Sequence, residues 1–233
     1  AGGEGGSTGG DEPPTGAVLP APPTIHRLTQ PQLHNSYLAL FGEPLALPAE
    51  LPTDDLLYGF TSISAAGATI SSLEAEKYEA AAYAVLDQVW ADPVRRAALI
   101  GCEPTSADDP CIASFLETFA TRASRRPVTT AGRDAPAGPA PPIAADLADV
   151  AAGIEFAAAA VLQSPHFLFR IEIGEPVPGR PELLRYTSWE MASRLSYLLH
   201  EGPPDDELLE LAASGALLDL DTVEQQAVRL LED

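Results

Sequence analysis

The sequence predicts an all-α protein, a multi-helix bundle with long irregular loops that follows a disordered N-terminal tether. Three observations support this fold class. Capping boxes begin several segments, those segments carry apolar residues at helical spacing, and no credible set of alternating strands accompanies them. We therefore expect about seven helices joined by connections rich in Gly and Pro.

Four regions are expected along the chain. Residues 1–24 contain mostly Gly, Ser, Pro and acidic residues, so they cannot bury enough apolar surface to order and predict a disordered linker. Residues 25–127 form a first helical module with a cysteine loop, and residues 128–142 form a hinge loop. Residues 143–233 form a second helical module whose last helical pattern has no stop signal, so we expect truncation or cleavage there.

In the first module, Thr29 with Gln32 and Ser71 with Glu74 form capping boxes. Gly101 is typical of the end of a short helix that restarts at a Pro. A further helix follows the second cysteine and ends at a Pro. Cations in its last turns complement the helix dipole. These cations are Arg122, Arg125 and Arg126.

The second module begins with an Ala-rich helical pattern from Ile143 to Gln163, which Ser164 and Pro165 end. Small side chains on such a helix allow a neighbouring helix to approach closely. The segment from residue 166 to residue 172 alternates partly and predicts a short extended stretch.

The rest of the second module contains three more predicted helices. Thr187 with Glu190 forms a third capping box. Asp205 is expected to cap the next helix and Gly215 to end it, while Asp221 is expected to cap the last helix.

The charge balance excludes several classes of partner. Thirteen Lys and Arg against thirty-four Asp and Glu give a formal net charge of -21, which repels phosphate and therefore argues against nucleic acid and anionic membranes. No apolar run reaches the roughly 18 residues of a membrane span. We expect a periplasmic, outer-membrane-attached or extracellular protein whose signal peptide has been removed. The tether is compatible with a lipid anchor, although residue 1 is not Cys.

The two cysteines, Cys102 and Cys111, lie at close range between two helical patterns. An even count at this spacing favours a disulfide and hence an oxidising compartment. Two unrelated buried thiols are the alternative. A metal site is less favoured, because neither a second Cys pair nor a closely spaced His pair accompanies them.

Several motifs occur in an order that resembles a known family. They are RLTQPQLHNSYLALFG, LPTDDLLYGF, SSLEAEKYEAAAYAVL, FLETFATRASRRPVT, VLQSPHFLFRIEIG and YTSWEMASRLSYLLHEGPPDDELLELAASGAL. Together they resemble the exported bacterial domain of unknown function 1592 family with its preceding associated modules, known mainly from planctomycete and myxobacterial secreted proteins. The resemblance covers roughly residues 26–233 and names no reaction. Where the family usually has Trp, this chain has His200, for which we expect a packing role.

The resemblance implies redox work outside the cytoplasm. Full-length members typically carry a C-x-x-C-H haem-attachment motif in a later module or lie beside c-type cytochrome domains. This chain has no such motif, so no haem is covalently bound by it. We expect haem c on the C-terminal remainder of the precursor or on a cytochrome-bearing partner chain.

Three residues are candidates for haem contacts. His166 could ligate iron through a neutral imidazole, and Arg170 and Arg194 could hold propionates by bidentate contacts. The alternative is structural: a His166 ring hydrogen-bonded under a helix end, and arginines paired with Glu172 and Glu190. No catalytic residue and no metal site is predicted, because the serines lack the G-x-S-x-G context of a hydrolase.

Two functions follow from these observations. The first is the helical N-terminal part of an exported redox protein that transfers electrons to or oxidises an extracellular substrate. The second is a non-enzymatic surface scaffold or binding module for a partner protein or a polysaccharide. A Soret band in the native assembly distinguishes the first from the second.

Overall fold

The fold is mostly helical, as predicted, but it is not purely α. The computed structural model describes residues 23–48, 50–61, 65, 69–128 and 149–232. These residues form nine helices, a 3-10 turn and four short strands. The expected tether at residues 1–24 ends too late, because Thr24 begins the first strand. Residues 1–22, most of the hinge loop, residues 143–148 and Asp233 lie outside the described residues.

The first half of the chain forms four helices whose starts agree with the capping signals. Both capping boxes are present, with Thr29 accepting from the Gln32 N–H and Ser71 from the Glu74 N–H. Gly101 ends the third helix in the left-handed conformation. The helices are α1 (Gln30–Phe41), α2 (Ser72–Trp90), α3 (Pro93–Ile100) and α4 (Pro110–Ser124).

The second half forms five more helices. The capping box of Thr187 and Glu190 and the cap at Asp205 are confirmed. The expected cap at Asp221 is wrong, because Asp219 accepts from the Thr222 N–H and Asp221 lies in the first turn. The helices are α5 (Val150–Leu162), α6 (Pro165–Leu168), α7 (Ser188–Leu199), α8 (Asp206–Ser214) and α9 (Leu220–Glu232), with the 3-10 turn Ala216–Leu218 before α9.

Two small antiparallel sheets correct the all-α prediction. Strand β1 (Thr24–Arg27) pairs with β2 (Phe169–Glu172), so only the second part of the predicted extended stretch is a strand. Strands β3 (Glu175–Val177) and β4 (Arg180–Arg185) form a hairpin. At the turn into β3, a Cβ on Gly174 would lie 2.7 Å from the Arg185 carbonyl oxygen, so this position requires glycine.

Two hydrophobic clusters form the core. The larger draws residues from both predicted modules, from Leu28 in the first to Phe167 in the second. The smaller lies among α7, α8 and α9 and is centred on Leu208. Helix α7 belongs to both, because its Tyr197 packs in the larger cluster and its Leu195 in the smaller.

The disulfide between Cys102 and Cys111 is confirmed. Its Cα atoms lie 6.3 Å apart, and it closes the loop between α3 and α4. No helix in the described part of the chain is long and apolar enough to cross a membrane.

Candidate functional site

Arg125 is the buried centre of the molecule's polar interior. It ends α4 in the left-handed conformation, with φ of 56°, and only 3% of its surface is exposed. This turn directs its guanidinium away from solvent. The Nη atoms donate at 2.8–3.2 Å to the carbonyl oxygens of Ala123, His166, Phe167 and Phe169 and to the hydroxyl of Tyr197.

A hydrogen-bonded relay continues from Arg125 to α1. The Ser36 hydroxyl donates to the Gln32 carbonyl at 2.7 Å. It therefore accepts from the Tyr197 hydroxyl, at 2.8 Å, and that hydroxyl in turn accepts from Arg125. The relay thus joins α1, α4 and α7, and each of its polar atoms is satisfied, as buried polar groups must be.

No carboxylate of the described residues forms an ion pair with Arg125. Its charge is compensated by carbonyl dipoles and by the Tyr197 ring, whose centroid lies 5.4 Å from the guanidinium carbon. Burying a charge in this way is costly unless every donor is engaged. By donating to the carbonyls of His166, Phe167 and Phe169, Arg125 therefore fixes the backbone of α6 and the start of β2.

A second charged centre surrounds Glu172, whose side chain is 1% exposed. Its carboxylate lies 2.9 Å from Arg170 Nε and in contact with Arg194 Nη1. His26 Nε2 lies 3.8 Å away. Burial, followed by the nearby Arg170, lowers the pKa of His26 below its ordinary value of 6.5. The Tyr186 hydroxyl and ring also contact Arg194.

An open cleft of about 210 Å³ lies beside Arg125. The end of α4, residues of α6 and β2, and the N-cap and first turns of α7 line it. Its lining residues are Ser124, Arg125, Arg126, Pro127, His166, Phe169, Ile171, Thr187, Trp189, Glu190 and Ser193.

The structure separates the three predicted contact residues. His166 lines the cleft, and its ring makes no hydrogen bond with a described residue, unlike the structural alternative. Burial, Arg126 and Arg125 lower its pKa below 6.5, so the imidazole is neutral at pH 7. Arg170 and Arg194 meet instead at Glu172 and do not line the cleft.

The predicted internal ion pairs are half right. Arg170 pairs with Glu172, but Arg194 pairs with Glu172 and not with Glu190. Glu190 instead accepts from the N–H groups of Ile173, Gly174 and Thr187.

No group of three or more His, Cys, Asp or Glu in the described ranges is arranged to hold a metal ion.

Sequence reasoning missed Arg125, Tyr197 and Ser36 as a unit. Arg125 was expected to complement the dipole of its helix, and it does donate to the Ala123 carbonyl of α4, but its left-handed turn and its burial were not predicted. Its position just past the helix, where a residue other than Gly takes positive φ, is a local peculiarity that apolar periodicity does not reveal.

The protein is mostly helical, and three distant segments of its chain meet at the buried hydrogen bonds of Ser36, Arg125 and Tyr197. Three family models match the chain in succession. Residues 26–91 match PSD3, a protein of unknown function (DUF1587), residues 111–172 match PSD5 (DUF1595), and residues 186–233 match PSD4 (DUF1592). The three matches are those of the DUF1592 model and its associated modules, as the resemblance implied.

The relay takes one residue from each matched stretch: Ser36 from the first, Arg125 from the second and Tyr197 from the third. The three modules are therefore joined at one point. No curated protein and no solved structure matches the chain significantly.

Proposed function

We propose that this chain is a non-enzymatic helical binding module of an exported protein and that its cleft receives a partner protein. The main support is that buried hydrogen bonds hold distant segments of the chain together beside the cleft. Ser36, Arg125 and Tyr197 hold three modules in one frame, and Arg125 also forms part of an open cleft. A site on a rigid frame binds without a large ordering cost.

A second exposed feature fits a protein partner. Residues 57–60 form a tight hairpin turn, in which Leu57 and Phe60 exchange backbone hydrogen bonds and Tyr58 is 87% exposed. Asp54, just before the turn, accepts from the Gln30 N–H at 2.7 Å and so fixes its base to α1. Exposed aromatic residues on an anchored turn are typical of interaction sites.

The net charge of the chain suggests the charge of this partner, and the disulfide suggests the compartment in which the two proteins meet. A net charge of -21 favours a partner whose surface outside the cleft contact is cationic, because complementary charge raises the rate of encounter. The Cys102–Cys111 disulfide supports an oxidising compartment and hence an exported protein.

Capture from the secreted proteins of the native host tests this proposal. The bait variants are Arg126→Glu in the cleft and Tyr58→Ser on the turn, both exposed positions. Arg180→Glu is the matched control, since Arg180 is exposed on β4 away from the cleft. We expect one partner retained by the wild type and the control and reduced at least tenfold by the cleft variant. Equal retention by all baits contradicts the proposal.

A redox role is the second candidate, and His166 favours it. A neutral, accessible imidazole is a competent iron ligand. The described residues do not fit a whole haem: Arg170 and Arg194 are engaged by Glu172, and the cleft of about 210 Å³ is smaller than the roughly 300–1,000 Å³ of pockets that bury drug-sized ligands. In this candidate the haem is carried by a partner chain or by the C-terminal remainder, and His166 only faces it.

Visible absorption of the purified native assembly tests the redox role. A Soret band that shifts in the His166→Ala variant supports it, with His34→Ala as the matched control away from the cleft. A colourless assembly, or a band unaffected by His166→Ala, excludes a role for this residue in haem binding.

A further inference from the structure

We propose that the cleft beside Arg125 recognises a carboxylate attached to a flat apolar group, which is the part of its partner that the cleft would hold. This inference rests on the proposed binding function and names the chemistry that the cleft recognises. Three kinds of observation carry it: donors without partners, an excess of positive charge and apolar walls.

Polar groups in the cleft lack partners. Ser193 is 6% exposed and lines the cleft, yet its hydroxyl makes no hydrogen bond with any residue that the structure describes. The same is true of the Ser124 hydroxyl and of the Trp189 indole N–H. These groups reach the open cleft, where an acceptor on a ligand can replace solvent as their hydrogen-bond partner. The unused groups include N–H and O–H donors, so they suit a ligand that accepts.

The local charge is positive in a strongly acidic chain. Arg125 and Arg126 both line the cleft, and neither pairs with a carboxylate among the described residues. Glu190 is the single carboxylate among the lining residues. Its two oxygens already accept four hydrogen bonds, from the N–H groups of Ile173, Gly174 and Thr187 and from the Thr187 hydroxyl. Two guanidinium groups therefore outweigh one engaged carboxylate, and an anion is favoured.

The remaining walls of the cleft are apolar and fit a ring. Phe169, Ile171, Trp189 and Pro127 line it together with the donors. Its volume of about 210 Å³ exceeds the ~150 Å³ of an apolar cavity that holds benzene, which leaves room for a carboxylate. An inorganic anion would leave these apolar walls uncovered, so an organic acid is the better fit.

Titration with benzoate, followed by NMR of the ¹⁵N-labelled full chain, tests the inference. The chain contains two Trp residues. Trp189 lines the cleft, whereas the Trp90 indole donates to the Ala151 carbonyl at 3.0 Å and serves as an internal control. We expect benzoate to shift the Trp189 indole signal and to leave the Trp90 signal unchanged. Benzamide, its neutral counterpart, and inorganic phosphate should bind at least tenfold more weakly.

Variants make the assignment specific. Arg126→Gln should weaken benzoate binding about tenfold and Ser193→Ala several-fold, while the matched control Arg180→Gln leaves it unchanged. Absence of a Trp189 shift, equal binding of benzamide or phosphate, or equal effects of Arg126→Gln and Arg180→Gln would each overturn the inference. If benzoate fails but partner capture still depends on Arg126, the binding function stands and the carboxylate assignment is wrong.

Discussion

Arg125 and Glu172 are two buried charges that the protein stabilises in opposite ways. Arg125 has only neutral acceptors, four backbone carbonyls and the Tyr197 hydroxyl. Glu172 has Arg170 and Arg194 beside it and His26 at 3.8 Å. The Tyr197 ring lies between the two centres, with Arg170 at 6.0 Å and Arg125 at 5.4 Å from its centroid.

The difference shows what each centre does. A guanidinium that donates to carbonyls fixes the path of the main chain, so Arg125 determines where α6 and β2 lie. A carboxylate between cations fixes side chains and joins strand to helix, since Arg170 lies on β2 and Arg194 on α7. The second centre is expected to respond to pH through His26, whose pKa is lowered chiefly by burial.

The largest effect is expected from Arg125→Met. The substitution leaves four carbonyls and a hydroxyl without their donor, so we expect a loss of about 3–5 kcal/mol in the free energy of unfolding. Urea unfolding measures it. Arg126→Met is the matched control at the neighbouring exposed position and should change stability by less than about 0.5 kcal/mol. Equal effects of the two substitutions would show that Arg125 does not organise the interior.

Glu172→Gln tests the second centre. It leaves Arg170 and Arg194 without their carboxylate, and because Arg194 is partly exposed we expect a loss of about 3 kcal/mol, at the lower end for a broken buried pair. Glu182→Gln removes an exposed carboxylate that pairs with Arg180 and should cost at most about 1 kcal/mol. A Glu172→Gln effect as small as this control would mean that the cluster is not stabilising.

Reduction of the disulfide compares a local covalent link with the long-range hydrogen bonds around Arg125. Opening the bridge between Cys102 and Cys111 should lower the free energy of unfolding by about 2–3 kcal/mol through loop entropy. Hydrogen exchange should increase in α3 and the start of α4 but not around Tyr197. A melting temperature that is unchanged by reductant would contradict the stabilising role of the bridge.

The smallest effect is expected from pH. Folding lowers the pKa of both His26 and His166, chiefly by burial, so the unfolded chain binds more protons below pH 6.5. Stability should therefore fall as pH drops from 7.5 through 6.5 towards the lowered pKa values. The combined variant His26→Gln and His166→Gln should remove this slope between pH 7.5 and 5.5. A wild-type midpoint that stays constant over this range contradicts the two shifts.

Local features of the fold could be predicted from the sequence. The three capping boxes, the Asp205 cap and the disulfide depend on residues at most nine positions apart, and all are confirmed. The sheet of β1 and β2 could not be predicted, because each strand has four residues and they pair across most of the chain. Partial alternation indicated the extended stretch that contains β2, but it gave no sign of the partner strand β1.

Of the three predicted contact residues only His166 lies in the cleft, and its contact with haem stays a prediction. The arginines expected beside it lie at Glu172, while Arg125 and Tyr197, 72 positions apart, form the buried centre. A sequence shows which residues can carry charge, but their partners depend on how distant segments pack. The separation of Ser36 from Tyr197 by 161 positions is the clearest instance.

The relay also determines how the polypeptide can be divided. Ser36 and Arg125 precede residues 129–148, whereas Tyr197 follows them. A nick in that stretch would leave two complementing fragments, each holding part of one chain of hydrogen bonds. Alone, each fragment would leave polar groups of this hydrogen-bond chain without partners. Folding would therefore require that the two fragments associate, and their association could serve as a genetic reporter of assembly.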